Sequence, residues 1–483
     1  HQLNLRCLTF YLMQIFTLMF TKISQLSFKK QSLKMLLSGL LVINCLNMQY
    51  ALALDTSLLG LDTSLTGFGS ANFAISDHSY RYNRYIDNEG TFNRGSLFAL
   101  QADIKFNEHF STTIQGKLAP ANYNDHQWEP SLTWALLTWR PRNDLLFRFG
   151  KQRGQFYLFS ETLELAQSYD FAQLPTELYR TIVAPDFWGG SLAKTWDSAY
   201  GEFTLDTYLG YKEAKWRTNF RNDLPSLTYP TGVQYADTGI LNSGMVLTLQ
   251  TYNNKFRVGI HPQALSALNG QAFPGGIGLY SAAQLSPEDL SPWLSGSVYQ
   301  VKPNQGITEF NALIFALGAE VELPENFRVI TELLHRDVFG RLVGTDLNTG
   351  YIALFKDLNH WSPYVSFSIA SSQNSVIKLV KKINQSQGLS VSPNTPSALL
   401  STANNVVTDA NAGQLFAADT LAFIDQYTFA IGTAYKLTPK QKIKFEWART
   451  TIGLGSIYVD SPPRTNINNQ AIDVFSVSYN FVF

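Results

Sequence analysis

The stretch DVFSVSYNFVF at 473–483 sets Phe475, Val477, Tyr479, Phe481 and Phe483 on one side of an extended backbone, and Ser476, Ser478 and Asn480 on the other. Alternation at period two marks a strand with one greasy and one polar face. The same split runs back through the chain. Ile443, Phe445 and Trp447 oppose Lys444 and Glu446, and Tyr427, Phe429, Ile431 and Tyr435 oppose Gln426, Thr428, Gly432 and Lys436. Phe256, Val258 and Ile260 oppose Arg257, Gly259 and His261, while Phe98, Leu100, Ala102, Ile104 and Phe106 oppose Leu97, Ala99, Gln101, Asp103 and Lys105.

Seven short polar turns separate such strands in pairs: Asn107-Glu108-His109, 141–144, Asp197-Ser198, Asn253-Asn254, Pro324-Glu325-Asn326, 357–360 and Pro439-Lys440-Gln441. With an opening strand near 65–73 and a closing strand at 473–483, these make sixteen strands. Between the pairs lie long stretches rich in Asn, Ser, Gly, Pro and Thr, at 80–94, 211–239, 261–308 and 371–420. Short turns at one end and long loops at the other predict an all-β fold, a transmembrane antiparallel β-barrel with short periplasmic turns and long extracellular loops. The segment 280–301, with Ser286-Pro287-Glu288-Asp289 at its middle, fits either an eighth hairpin, for eighteen strands, or a folded part of a loop; sixteen is the expected count. A soluble β-sandwich also alternates at period two. Against it, Trp139, Trp196, Tyr211, Trp361 and Trp447 stand at strand ends as interfacial girdles do, and no linker or composition shift divides the chain.

With 13% aromatic and 15% charged residues the chain is a folded protein, and its balance of 37 basic against 37 acidic residues gives no electrostatic footprint for nucleic acid. The imbalance is local. Arg6, Lys22, Lys29, Lys30 and Lys34 are the only charges before Asp55, and the apolar run 35–46 and Ala51-Leu52-Ala53 follow them. This is the pattern of an export signal cleaved after Ala53, with the numbering beginning upstream of a start at Met19. Residues 1–53 are therefore read as signal peptide and upstream residues, and 54–483 as the barrel, with a net charge of -5. Cys7 and Cys45 both fall in the removed segment, which excludes disulfides and thiolate metal sites from the mature protein.

After the strand 145–152 come five acids, Glu161, Glu164, Asp170, Glu177 and Asp186, with Arg180 the only base between Gln155 and Pro185. The strand itself carries Arg148 inward, with Lys151 and Arg153 just beyond. A loop folded inward near 155–186 would set its acids against these bases, and such opposition makes a transverse field across a constriction. Phe156, Tyr157, Phe159, Tyr169, Phe171 and Tyr179 make this loop too aromatic for a purely solvated face. Other inward candidates, Asp103, Lys105, Lys117, Glu202, Asp206, Arg257, Arg328, Glu332, Arg336, Lys444 and Glu446, mix their signs and make no continuous basic ladder. The histidines show no metal-ligand spacing, and no nucleophile or phosphate-binding motif occurs. His261 beside Arg257 is the one hint of a hydrolase assembled across strands, and is read as lumen lining.

The runs 147–153, 157–161 and 169–179 resemble the constriction-loop region of a group of uncharacterised Gram-negative porins of gammaproteobacterial type, distantly like the phosphate-selective porins. This chain departs from them at Gly154-Gln155, where such porins often carry a Pro. Phe475, Val477, Tyr479, Phe481 and Phe483 resemble, position by position, the assembly signal that the barrel-assembly machinery reads in outer-membrane proteins. The resemblance implies a homotrimeric diffusion channel of the cell outer membrane, in contact with lipid and small hydrophilic solutes, with no reaction, cofactor or metal. On that basis Arg148, Lys151 and Arg153 form a basic wall and Glu161, Glu164, Asp170 and Glu177 the acidic loop of the pore constriction. A substrate-specific channel in which loop aromatics stack a ligand is the alternative, an outer-membrane hydrolase a more distant one.

Overall fold

Sixteen antiparallel strands, each bonded to its neighbours in the chain, become a closed barrel when the last pairs with the first. The computed structural model describes residues 62–483 except 122, 124, 126, 222–230, 303–304, 340–345, 463–464 and 466. The export signal read at 1–53 lies outside the described residues. The strands are β1 (Asp62–Ser76), β2 (Leu97–Lys105), β3 (Phe110–Pro120), β4 (Trp128–Arg142), β5 (Leu145–Arg153), β6 (Asp186–Ser198), β7 (Gly201–Phe220) and β8 (Gly232–Gln250). They continue as β9 (Asn254–Ala267), β10 (Glu309–Leu323), β11 (Phe327–Phe339), β12 (Leu347–Lys356), β13 (Trp361–Ser372), β14 (Ile424–Thr438), β15 (Gln441–Ser456) and β16 (Ala471–Val482). Six of the seven short turns fall at the predicted polar breaks; after β6 the strand runs on through Asp197 and Ser198, and the turn is at Ala199-Tyr200. At the β10–β11 turn, Glu325 and Asn326 both take positive φ, 63° and 60°, after the fixed φ of Pro324.

Alternation sorts the two faces. Leu209, Leu317, Leu333 and Ile352 on the outer wall are 53–57% exposed, whereas Ser476, Ser478 and Asn480 on the inner face of β16 are buried. A continuous apolar belt of this kind is not compatible with water and belongs in lipid. No helix among the described residues is long and apolar enough to cross a membrane; the strands cross it. Closure leaves no unpaired strand edge in the hydrocarbon, where each unsatisfied backbone group costs several kcal/mol.

The long loops are more ordered than their composition implies. The stretch expected as a loop at 211–239 is mostly strand, because β7 and β8 stay paired as far as Phe220 and Gly232, and only 221–231 connects them. The ambiguous segment 280–301 does not enter the barrel: Leu294–Val301 is the middle strand of a separate three-stranded sheet, paired with Ile277–Ser281 on one side and Gly388–Val391 on the other. The stretch 371–420 holds two helices, α1 (Asn374–Gln385) and α2 (Ser397–Thr420). Val376, Val380 and Ile383, at helical spacing, bury against Ala418, Leu421 and Phe423 and fasten α1 over the rim.

Candidate functional site

Residues 154–185 turn inward between β5 and β6, and the Gly154 N–H donating to the Pro185 carbonyl at 2.7 Å closes the neck of the loop. Its aromatic residues need an apolar surface and find one on the inner faces of β10–β13: Phe156, Tyr157, Tyr169, Phe171 and Tyr179 form one core with Ile314, Ile330, Leu334, Tyr351, Phe355 and Tyr364. The Phe171 ring lies edge-on to Tyr351, Phe355 and Tyr364 at 4.9–5.8 Å. Phe187 of β6 and Tyr208 of β7 complete the same core, so the loop packs mainly on β10–β13 and also reaches β6 and β7.

Polar ties fix it there. Glu332 of β11 accepts the Leu158 N–H at 2.7 Å and the hydroxyls of Tyr351 at 2.8 Å and Tyr179. The fully buried Lys444 of β15 donates to the carbonyls of Ala166 and Phe171 at 2.6 and 2.9 Å. Arg257 of β9 donates to the Tyr157 carbonyl at 2.5 Å and to Gln155 at 2.6 Å. Glu446 accepts the Tyr364 hydroxyl at 2.5 Å, and that oxygen in turn accepts the Ala172 N–H at 3.0 Å. Four of the inward charges named from the sequence, Arg257, Glu332, Lys444 and Glu446, thus help to seat the loop, which alternation alone does not disclose.

The seven residues expected at a constriction divide. Arg148 and Glu161 face each other at 3.2 Å with 29% and 47% of their side chains exposed, and Gln155 donates to the same carboxylate at 2.9 Å. Arg153 pairs instead with Glu164 at 2.9 Å, and Lys117 reaches the same Glu164 oxygen; both guanidinium and carboxylate are nearly closed off from solvent. Lys151 meets none of the four loop acids: its ammonium donates to the Leu132 carbonyl at 2.5 Å and lies 3.5 Å from Asp186. Asp170 is buried between Lys442 at 2.8 Å and Arg328 at 2.6 Å. Glu177, wholly buried, accepts from Gln426 at 2.6 Å, Thr428 at 2.5 Å and Ser368 at 2.7 Å. Glu164, Asp170 and Glu177 are therefore corrected from lining residues to buried ties, since carboxylates pressed into an aromatic core survive there only with partners. His261 is likewise not on an open lumen surface. It is buried 4.8 Å from the Phe156 ring, with its Nδ1 bonded to the Tyr208 hydroxyl at 2.7 Å.

On β2–β9, which the loop touches at Lys117, Tyr208, Arg257 and His261, the inner wall also keeps partly exposed polar groups: Asp103, Thr113, Ser191, Thr204, Asp206 and Lys255. With Arg148 and Glu161 they bound the water-accessible part of the interior.

No family model and no curated protein matches this chain. Solved structures do. OmpT of Vibrio cholerae is similar at 11% identity and a TM-score of 0.43, over 87% of this chain and 98% of that chain. The outer membrane channel DcaP of Acinetobacter baumannii is similar at 8% and 0.46, over 89% and 99%. An anion-selective porin from Comamonas acidovorans is similar at 7% and 0.47, over 88% and 100%. Likenesses this remote carry nothing about solute or mechanism.

Two of the ties have a defined pH response. Burial pushes the carboxyl of Asp170 up, but Lys442 and then Arg328 outweigh it and hold it below the usual range; burial likewise acts on Glu164 against Arg153 and Lys117, with the same outcome. A carboxyl depressed in the folded state stabilises that state above its unfolded value, about pH 4, and the contribution disappears as pH falls through the folded value below it. Protease sensitivity of the loop should therefore rise in an acid step at or below about pH 4, and Asp170→Asn should remove its share of that step while the share of Glu164 stays. A wild-type step that persists unchanged in Asp170→Asn would refute the assignment.

Proposed function

We propose that this protein is an outer-membrane channel for passive diffusion of small hydrophilic solutes and ions, with no chemical step and no bound cofactor. The observation that carries the reading is a lipid-facing closed barrel whose inturned loop packs mainly on β10–β15 and whose inner wall keeps partly exposed polar groups on β2–β9. A wall that is apolar outside and polar inside is what a water path through a membrane requires. The long loops face the cell exterior in this reading, and the working assembly is a homotrimer, which chemical crosslinking of the detergent-extracted protein tests.

Arg148 and Glu161 are the charges placed to act on passing ions, because they alone among the seven expected residues present opposed, partly hydrated groups to open space. Single-channel current in a planar bilayer under a salt gradient is the direct test. Stepwise conductance is expected, and Glu161→Gln should move the reversal potential toward anion preference. A silent bilayer with correctly folded barrel would count against the channel, and an unmoved reversal potential against the role of Glu161.

A further inference from the structure

The hairpin of β7 and β8 is longer than a membrane crossing requires. A tilted strand spans the hydrocarbon with about 9–11 residues, and β7 has 20. The surplus, 211–220 paired with 232–241, forms an arm on the long-loop side. On one face of the arm Ala214 and Trp216 pack with Ile240, Phe310 and Ala312, and with Ala184 from the neck of the inturned loop. Phe310 and Ala312 are in step with the inward Ile314, and Ile240 is out of step with the exposed Leu241, so all three belong to the inner wall. The arm therefore leans over the bore.

Its other face reaches the far side of the barrel. Arg217 donates to both oxygens of Asp460 at 3.0 and 2.5 Å. Asp460 lies between β15 and β16, and β15 stands eight places from β7 in the ring of sixteen strands. The same guanidinium donates to Asp125, between β3 and β4, at 2.7 and 3.2 Å, and the Tyr235 hydroxyl of β8 donates to Asp125 at 2.8 Å. Arg84, between β1 and β2, pairs with Asp125 as well. Beyond the end of β7, Arg221 pairs with Asp419 of α2 at 2.5 Å, and the Phe220 ring stacks on Phe416 at 4.9 Å. The arm thus crosses the opening and is tied down at both sides.

The barrel ladder needs none of these bonds. The side chains of Arg84, Asp125, Arg217 and Asp460 are only 6–16% exposed, and ion pairs so shielded hold far better than pairs open to water. Arg217 is shared between carboxylates of two different connections, in the forked geometry that a guanidinium favours. Its loss would leave the Tyr235 hydroxyl as the arm's remaining hold on Asp125. We propose that the β7–β8 arm is a strap across the long-loop mouth of the bore, that Arg217 is its latch, and that release of the latch widens the entrance. The latch stands on these contacts; that it governs passage rests on the channel reading.

Trypsin on the folded, detergent-extracted full chain reads the latch without requiring conduction, because a two-stranded hairpin freed of its contacts is barely stable in water. Cutting after Lys215 should be about tenfold faster or more in Arg217→Gln than in the wild type, and faster by a smaller factor in Asp460→Asn. Heat-dependent gel mobility identifies the variants whose barrel is folded. In a planar bilayer Arg217→Gln should carry a larger current per channel. Both native cysteines lie in the segment read as export signal, so cysteines placed at 217 and 460 are a unique pair. Joining them with a reducible bifunctional methanethiosulfonate should return the current to the wild-type level, and reductant should raise it again. Arg142→Gln, at the short turn after β4, should match the wild type in both assays. The proposal falls if Arg217→Gln and the unjoined cysteine pair resist trypsin as the wild type does, or if joining and releasing the pair leaves the current of a conducting channel unchanged. Faster cutting in barrels that never pass current would uphold the latch and remove the channel reading alone.

Discussion

Glu332→Ala should unseat the inturned loop while leaving the barrel closed. The carboxylate is buried at the meeting point of three donors, the Leu158 N–H and the hydroxyls of Tyr179 and Tyr351. Removing it leaves all three without that acceptor inside an aromatic core. An unsatisfied buried donor costs about 1–3 kcal/mol, so the loss is on the order of several kcal/mol, enough to shift a loop between two states. The barrel ladder does not pass through Glu332's side chain, so heat-dependent gel mobility should be retained. Single-channel conductance should rise and become irregular, and limited proteolysis should cut within 154–185. Glu332→Gln keeps one acceptor oxygen and should fall between wild type and Glu332→Ala. Unaltered conductance and full protease resistance in Glu332→Ala would show that the aromatic contacts of Phe171 and its neighbours hold the loop unaided.

The sequence disclosed the barrel because period two is a local property. Lipid on one face and polar contacts on the other are imposed residue by residue, and a slip of one position would turn Phe429 inward and Thr428 into lipid. Strand ends were less legible: Trp216, Arg217 and Tyr235 look like loop residues by composition, yet pair across β7 and β8 as strand. The helix α1 was missed although Val376, Val380 and Ile383 carry its spacing, because three positions amid polar residues give a weak signal. At the site, residue types were legible and partners were not. Glu161 and Glu164 stand three apart in the same acidic run, yet one is 47% exposed at its side chain and the other 14%. What separates them is which inward positions of the wall the loop leans on, a tertiary fact. Lys442, Lys444 and Glu446, charged at three successive inward positions of one strand, were the available hint that something polar and buried must meet them.

Phe481→Ala with Phe483→Ala should abolish barrel formation, whereas substitutions in the loop should not. The two strands that meet last in the chain order, β16 and β1, pair over nine residues from Phe68 with Val482 to Ser76 with Val474. Beyond them Gly67 and Phe483 exchange both backbone bonds, at 3.1 and 2.9 Å. The rings of Phe481 and Phe483 lie over Gly69 and Gly67, where a Cβ would come within 2.7 and 2.2 Å of them. The glycines and rings thus fit as knobs into gaps across the closing seam, although Phe481 stays partly exposed and Phe483 exposed. Closure is all or none in lipid, because an open seam would leave two strand edges unsatisfied in hydrocarbon. The double variant should therefore lose the heat-modifiable band and accumulate as unfolded chain. Gly67→Leu, which drives the Phe483 ring out while keeping every aromatic of the 475–483 row, separates seam fit from recognition by the barrel-assembly machinery. If the seam fit governs, Gly67→Leu fails even when refolded in detergent with no machinery present; if recognition governs, it assembles and only the double variant fails in cells.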